Sequence, residues 1–156
     1  MDYTELDSGT CSVARTASLI GDAWTVLVLR DLFNGVRRFD DLAGHLGIAR
    51  NVLTRRLATL VDAGLVERVP YREPGRRERH EYHLTPAGRD LRPIMLAMLD
   101  WGDTHLGGED GPPMRMVHPE CGAPVHVEVR CENGHVLEPE ARVRAVPGPG
   151  ARRRAG

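Results

Sequence analysis

Leu46-Gly-Ile-Ala-Arg-Asn-Val-Leu-Thr-Arg-Arg-Leu-Ala-Thr-Leu-Val-Asp-Ala-Gly-Leu65 is the stretch on which the fold turns. Leu53, Leu57, Leu60 and Val61 recur at the spacing that places them on one side of an α-helix, and Gly64 follows where a helix of this length stops. With about 100° between successive residues, the other side carries Asn51, Arg55 and Ala58, bordered by Thr54 and Thr59, with Arg56 near the edge. A helix in a DNA major groove wants such a face, because Arg pairs with guanine, Asn with adenine, and small residues let the backbone approach. A plain solvated face has a similar composition, so the flanking segments decide between the two.

Upstream, Thr10-Cys11-Ser12 offers capping residues for a short first helix over residues 12–20, with Val13, Ala14, Ala17 and Ile20 as its apolar stripe. Residues 24–33 read as a second helix with Trp24, Leu27, Val28 and Leu32 inward and Asn34-Gly35 as its stop. Val36 to Phe39 is a brief extended piece. Asp40 is placed to cap a third helix over 41–46, whose Leu42 and Leu46 face inward, and Gly47 permits the sharp turn before the central helix. Helix, tight turn, helix is a motif that DNA-binding proteins reuse.

Downstream, the period changes to an extended one. Leu65, Val66, Val69 and Tyr71 form one predicted strand, with Pro70 marking its edge or end, and residues 80–84 form another. Between them, Arg72-Glu-Pro-Gly-Arg-Arg-Glu-Arg79 makes a hairpin with a cationic tip around a Pro-Gly turn. Thr85-Pro86 then caps a long helix predicted to run to about Leu106, bent at Pro93. Short helices, then a hairpin, then a long helix, in that order, make a winged helix: a mainly α fold with a small β-hairpin wing.

The charge follows this organisation. The 156-residue chain has a formal net charge of −1, yet residues 33–80 hold ten Arg against six Asp or Glu, so the excess of cations sits on the helix-turn-helix and wing. All 21 basic residues are Arg, so clustering is more informative than any single position. No apolar run approaches the ~18 residues of a membrane span, and Met1-Asp-Tyr-Thr-Glu5 lacks the regions of a signal peptide, so a cytoplasmic location and no membrane partner are expected. Three widely spaced cysteines do not make a disulfide scaffold.

Cys11-Ser-Val-Ala-Arg15, Ile20-Gly-Asp-Ala-Trp-Thr25, Leu29-Arg-Asp-Leu32, Arg38-Phe-Asp-Asp-Leu42, Leu53-Thr-Arg-Arg-Leu57, Gly64-Leu-Val66 and Tyr82-His-Leu-Thr-Pro-Ala-Gly88 together resemble the HxlR-type transcriptional regulators, relatives of the MarR group. The resemblance covers residues 8–106. It implies a homodimeric winged-helix regulator that binds a pseudo-palindromic operator in double-stranded DNA, and a repressor is the expected mode. Two departures stand out: Ser12 replaces the proline usual after the cysteine, and Ala49 replaces a serine that often caps the recognition helix. Losing that cap costs about 1 kcal/mol unless Asn51 or a phosphate substitutes for it.

Roles follow from position. Arg50, Asn51, Thr54 and Arg55 are expected at base edges, because the first half of a recognition helix enters the groove deepest. Arg38, Arg56, Arg76, Arg77 and Arg79 are expected on phosphates, where they supply affinity rather than sequence choice. In the last helix Leu91, Ile94, Met95, Met98, Leu99 and Trp101, with Leu106, cover more than the ~100° stripe one core requires, so a dimer interface is expected there, with a deeply buried helix in a monomer as the alternative. Cys11 coincides with the position at which several HxlR-type proteins carry a redox- or electrophile-responsive thiol. A helix start favours thiolate, so Cys11 is either the sensor of an oxidant or small-molecule effector or a small buried residue that never reacts.

Residues 107–113 read as a linker and 114–146 as a small β-rich appendage, with Val125, Val127 and Val129 alternating on one strand and Asn133-Gly134 as a hairpin turn. His118, Cys121, Cys131 and His135 form a set that could bind zinc and hold so small a hairpin together; a metal-free hairpin docked on the dimer helices is the alternative. Residues 147–156 are expected to be disordered, with three Arg that could graze phosphate. No nucleophile, base and orienter converge in the sequence, so no enzyme is expected. A winged helix that only binds proteins, without operator preference, is the competing function.

Overall fold

The computed structural model describes residues 3–153. They form two compact units: the chain up to Asp90 together with the segment from Arg144 onward, and Leu91 to Val143.

In the first unit, two short 3-10 turns, Tyr3–Glu5 and Ser8–Thr10, precede α1 (Ser12–Ile20), α2 (Ala23–Phe33), α3 (Phe39–Leu46) and α4 (Arg50–Asp62). The strands β1 (Val66–Tyr71) and β2 (Arg79–Leu84) pair antiparallel with Val66 opposite Leu84 and Tyr71 opposite Arg79, and the four-residue α5 (Pro86–Arg89) follows. The winged-helix order predicted from the sequence is the order observed.

The core gathers the inward faces of these elements. Val28, Leu29 and Leu32 of α2, Leu42 of α3, Ile48 of the turn, Leu53, Leu57 and Leu60 of α4, and Leu65 and Val66 at the start of the wing are all buried. Each buried leucine contributes about 2 kcal/mol by leaving water, so the three of α4 fix the rotation of that helix. Gly47, at φ +61, makes the left-handed turn that lets α3 and α4 share this core.

Several boundaries and faces differ from the sequence reading. The inner face of α2 is Thr25, Val28, Leu29 and Leu32, with Asp31, while Trp24 and Leu27 are only half-buried. The helix lies against both α3 and α4, which widens its buried face. Asp31 is tolerated there because Arg30 donates to Oδ1 from Nε at 2.9 Å and Nη2 at 2.7 Å, while His45 Nδ1 lies 2.6 Å from Oδ2. α1 buries only Ile20, and Val13 stays exposed. α3 starts at Phe39 with no side-chain cap, so Asp40 lies inside the helix rather than before it.

The extended piece before α3 joins the wing. Arg38 forms an antiparallel bridge with Glu81, and Tyr82 N donates to Arg37 O at 2.9 Å. A third, minimal strand thus runs beside β2 and ties the wing to the start of α3.

The predicted long last helix is two helices. α5 is capped by Thr85, whose Oγ1 accepts from Gly88 N, and ends at Arg89; α6 (Arg92–His105) begins after Leu91. Pro93 has no N–H for the Arg89 carbonyl, and its ring would clash with that oxygen, so the helix breaks a turn before the proline instead of bending through it.

In the second unit, α6 buries none of its residues. The appendage after it has no continuous strand among the described residues. It consists of turns joined by isolated bridges, Val117 with Pro124 and Arg130 with Val136. Two arms of this length without a third strand do not sustain a ladder. Val127 N donates to Asp100 Oδ2 at 3.1 Å, so the appendage touches α6 through its backbone. Of the tail, residues 147–153 carry neither helix nor strand continuity, Asp7 N donates to Arg152 O at 2.8 Å, and Leu6 bridges Arg153. Residues 154–156 lie outside the described residues.

Candidate nucleic-acid interface

α4 presents the face read from its spacing. Asn51, Thr54, Arg55, Ala58 and Thr59 are exposed on the side opposite the three buried leucines. Thr54 Oγ1 donates to Arg50 O at 2.8 Å and Thr59 Oγ1 to Arg55 O at 3.0 Å, so both hydroxyls are oriented and their lone pairs remain available. Ala49 caps nothing with its side chain, and Asn51 Oδ1 accepts from Val52 N at 2.9 Å. Val52 N also donates to Ala49 O at 2.9 Å, so this amide at the helix start is shared between two acceptors.

The arginines separate into two groups. Among the described residues, Arg55 on the helix and Arg77 at the wing tip face solvent without an acidic partner. Arg68 and Arg72 have no carboxylate either: Arg68 Nη2 lies 3.2 Å from His80 Nδ1, and Arg72 Nε donates to Arg76 O at 3.4 Å. Arg38, Arg50, Arg76 and Arg79 are held by carboxylates. Arg38 Nη1 reaches Glu73 Oε1 at 3.0 Å and its Nε reaches Glu81 Oε1 at 3.3 Å, with the guanidinium 4.6 Å from the Tyr71 ring centre. Arg50 Nη1 lies 2.8 Å from Asp40 Oδ1 and stacks 4.7 Å from the Phe39 ring centre. Arg79 Nη1 lies 3.1 Å from Asp40 Oδ2, and Arg76 Nε lies 3.8 Å from Glu73 Oε2.

Arg56 is held by a carboxylate as well. Its Nη2 binds Asp22 Oδ2 at 2.9 Å, and Asp22 Oδ1 is also the cap of α2, accepting from Trp24 N and Thr25 N. This arginine fastens the recognition helix to α2 rather than standing free on the outer face.

These pairs set the local titration. The hydrogen bond from Arg50 pulls the Asp40 carboxyl below its ordinary range. Glu81 is likewise lowered, first by its hydrogen bond with His83 and then by Arg38, and the hydrogen bond to Glu81 raises Arg38. All stay charged at neutral pH, so the surface is a mosaic of ion pairs interspersed with arginines that have no carboxylate partner, Arg55 and Arg77 among them.

The wing is held in shape by its turn. Gly75 takes φ +75 and Arg76 N donates to Glu73 O at 3.1 Å, closing a Pro-Gly turn that needs glycine at its third position. It carries Arg72, Arg76, Arg77 and Arg79 to one end of the hairpin.

The remaining expected residues are placed as follows. Cys11 is half-buried at the N-cap of α1, and its thiol makes no capping hydrogen bond. It lines a cleft of about 710 Å3 whose walls include Leu6, Ala14 and Arg15 on one side and Val146, Pro147 and Arg152 of the tail on the other. In α6, Ile94, Met98 and Trp101 are exposed, while Met95 and Leu99 are half-buried, as is Leu91 just before the helix. The four expected zinc ligands come together only as pairs, His118 Nδ1 with Cys121 Sγ and Cys131 Sγ with His135 Nδ1, each at 3.5 Å. Among the described residues no group of three or more His, Cys, Asp or Glu is arranged to hold a metal, so the set does not fit a tetrahedral zinc site. Asp40 is the interface residue that sequence reasoning missed, since its pattern reads as a helix cap and its two partners lie 10 and 39 positions away.

Comparison with known proteins agrees with this geometry. Residues 19–110 match the family model for the HxlR-like helix-turn-helix. Rv3095 of Mycobacterium tuberculosis, an HTH-type transcriptional regulator by name, is 44% identical over 139 residues, which cover 89% of this chain and 87% of that protein. The crystal structure of PA1607, described as a candidate transcription factor, aligns with a TM-score of 0.75 and 38% identity, covering 86% of this chain and 94% of that one. The redox regulator HypR in its reduced form aligns with a TM-score of 0.54 and 30% identity, covering 60% of this chain and 92% of that one. Among the described residues no single helix is long and apolar enough to cross a membrane.

Proposed function

The chain belongs to the HxlR-like helix-turn-helix family of transcriptional regulators, not to an enzyme family, and from that premise we propose that it acts as a homodimeric repressor of a pseudo-palindromic operator. In this reading Arg50, Asn51, Thr54 and Arg55 meet base edges, while Arg38, Arg76, Arg77 and Arg79 meet phosphates. The observation that carries it is the outer face of α4: a bidentate-capable arginine, an asparagine and short side chains, all exposed, on a helix anchored by three buried leucines. The dimer is supported by α6, which buries no residue within one chain; a two-fold axis would set two recognition helices about 34 Å apart.

Selection from a random-sequence duplex pool tests this reading without assuming where the operator lies. A recovered inverted repeat supports it, and a protein that enriches no sequence leaves the protein-interaction module as the function. On the recovered duplex, Arg55→Ala is expected to lose roughly 10- to 100-fold discrimination at one base pair of each half-site. Arg77→Ala should instead weaken all duplexes alike and lower the slope of log affinity on log salt by about 1. Equal effects of the two substitutions on discrimination would overturn the division of roles.

For the signal, we place the sensor at Cys11. Its half-buried thiol lines an open cleft, and the similar HypR is by name a redox regulator. Treatment with a thiol oxidant is expected to change operator affinity by about 10-fold or more, and Cys11→Ser should abolish the response while binding normally when reduced. An oxidant response of full size in Cys11→Ser would remove Cys11 from this role.

A further inference from the structure

Asp40 sits in the first turn of α3 and holds two arginines from two other elements, Arg50 at the start of α4 at 2.8 Å and Arg79 at the start of β2 at 3.1 Å. They share a cleft of about 530 Å3 between the start of α3 and the wing, with Arg50 contributed by α4, lined also by Arg38, Arg68 and Arg76 and by the acidic Asp41 and Glu73. Exposed pairs of this kind are weak, because water screens them. A phosphodiester offers the guanidinium the same pair of oxygens that a carboxylate does. A phosphate is therefore a chemical substitute for this carboxylate, and the weakness of the pairs makes exchange easy. It also uses only Nη1 of Arg50, which leaves that arginine's other donors aimed from a braced position.

We propose that Asp40 determines specificity: it competes with DNA phosphate for Arg50 and Arg79, which weakens binding to arbitrary duplex, and it braces Arg50 for base contact in the operator complex. The inference rests on the DNA-binding reading above. Binding to arbitrary sequence consists almost wholly of phosphate contacts, so a neutralised arginine pair weakens it directly. In the operator complex the brace offsets that cost, because an oriented Arg loses less freedom on reaching a base. Asp40 keeps its charge throughout the neutral range, since Arg50 holds its carboxyl below the usual value.

The test titrates the full-length protein, Asp40→Asn, Asp40→Glu and the charge control Asp62→Asn against a random-sequence duplex and the duplex recovered by selection, at several salt concentrations. Asp40→Asn is expected to bind random duplex about 3-fold more tightly, with a salt slope steeper by about 0.9, and to gain nothing on the selected duplex. Asp40→Glu keeps the charge and should keep the wild-type slope. An Asp40→Asn protein that matches Asp62→Asn on random duplex, or that gains equally on both duplexes, overturns the proposal and leaves DNA binding intact. If the unaltered protein binds neither duplex at low salt, the DNA-binding reading itself fails.

Discussion

Gly88→Ala is expected to destabilise the protein by about 3 kcal/mol or more, lowering the melting temperature by roughly 6–12 °C. A Cβ on this buried glycine would lie 2.0 Å from Leu65 O and 3.2 Å from Leu84 Cδ2. The carbonyl cannot move aside. Leu65 O accepts from Thr85 N at 3.0 Å, and Thr85 Oγ1 in turn donates to Gly64 O at 2.6 Å and accepts from Gly88 N at 3.1 Å. The last turn before the wing and the first turn after it are thus locked together, and a methyl group would prise them apart. Gly44→Ala supplies the contrast. A Cβ there meets nothing within 4 Å, and the residue is inside α3, so alanine should stabilise by about 0.5–1 kcal/mol. Thermal melts of the two variants shifting in the same direction would refute this account of the corner.

Met98→Glu is expected to turn a dimer into a monomer and to lower operator affinity by about 100-fold or more, because each half-site would then be bound without the other. Ile94, Met98 and Trp101 recur at intervals of four and three along α6, in step with Leu91 just before it, and so form one stripe. Within one chain Ile94 is 41% exposed, Met98 50% and Trp101 58%. A carboxylate at Met98 costs little in the isolated chain but would be buried without a partner in a two-fold interface. Sedimentation at micromolar concentration reads the assembly, and the melting curve shows whether the fold persists. A wild-type protein that sediments as a monomer, or a Met98→Glu protein that remains a dimer, would overturn the assignment of α6 to the interface.

The parts of the site that were legible depend on local pattern. Leu53, Leu57 and Leu60 imposed the rotation of α4 because a 3.6-residue period admits one buried face, and Asn51, Thr54 and Arg55 then had to be outside. The wing was legible for a similar reason, since Pro74-Gly75 closes a turn by backbone geometry alone. Thr85 before Pro86 carried its cap in two adjacent letters.

What escaped the pattern were choices among partners. Asp40 fits a helix cap and an ion pair equally well in sequence, and only the approach of Arg50 and Arg79 selects the second. Arg56 looks like any outward arginine until Asp22 is found beside it. The four expected zinc ligands have workable spacing, but the two turns that carry them close each Cys on its neighbouring His instead of gathering all four. The sequence by itself thus determined the order of helices and hairpin, the buried stripe of α4 and the residue types on its outer face, because these depend on periodicities and turn geometry within a few residues. The tertiary structure alone decided which arginines stand free and which are held, where the last helix breaks, and that α6 keeps its apolar stripe uncovered. Those outcomes are set by distances between segments that the sequence separates, and electrostatic pairing and steric exclusion act only once the segments meet.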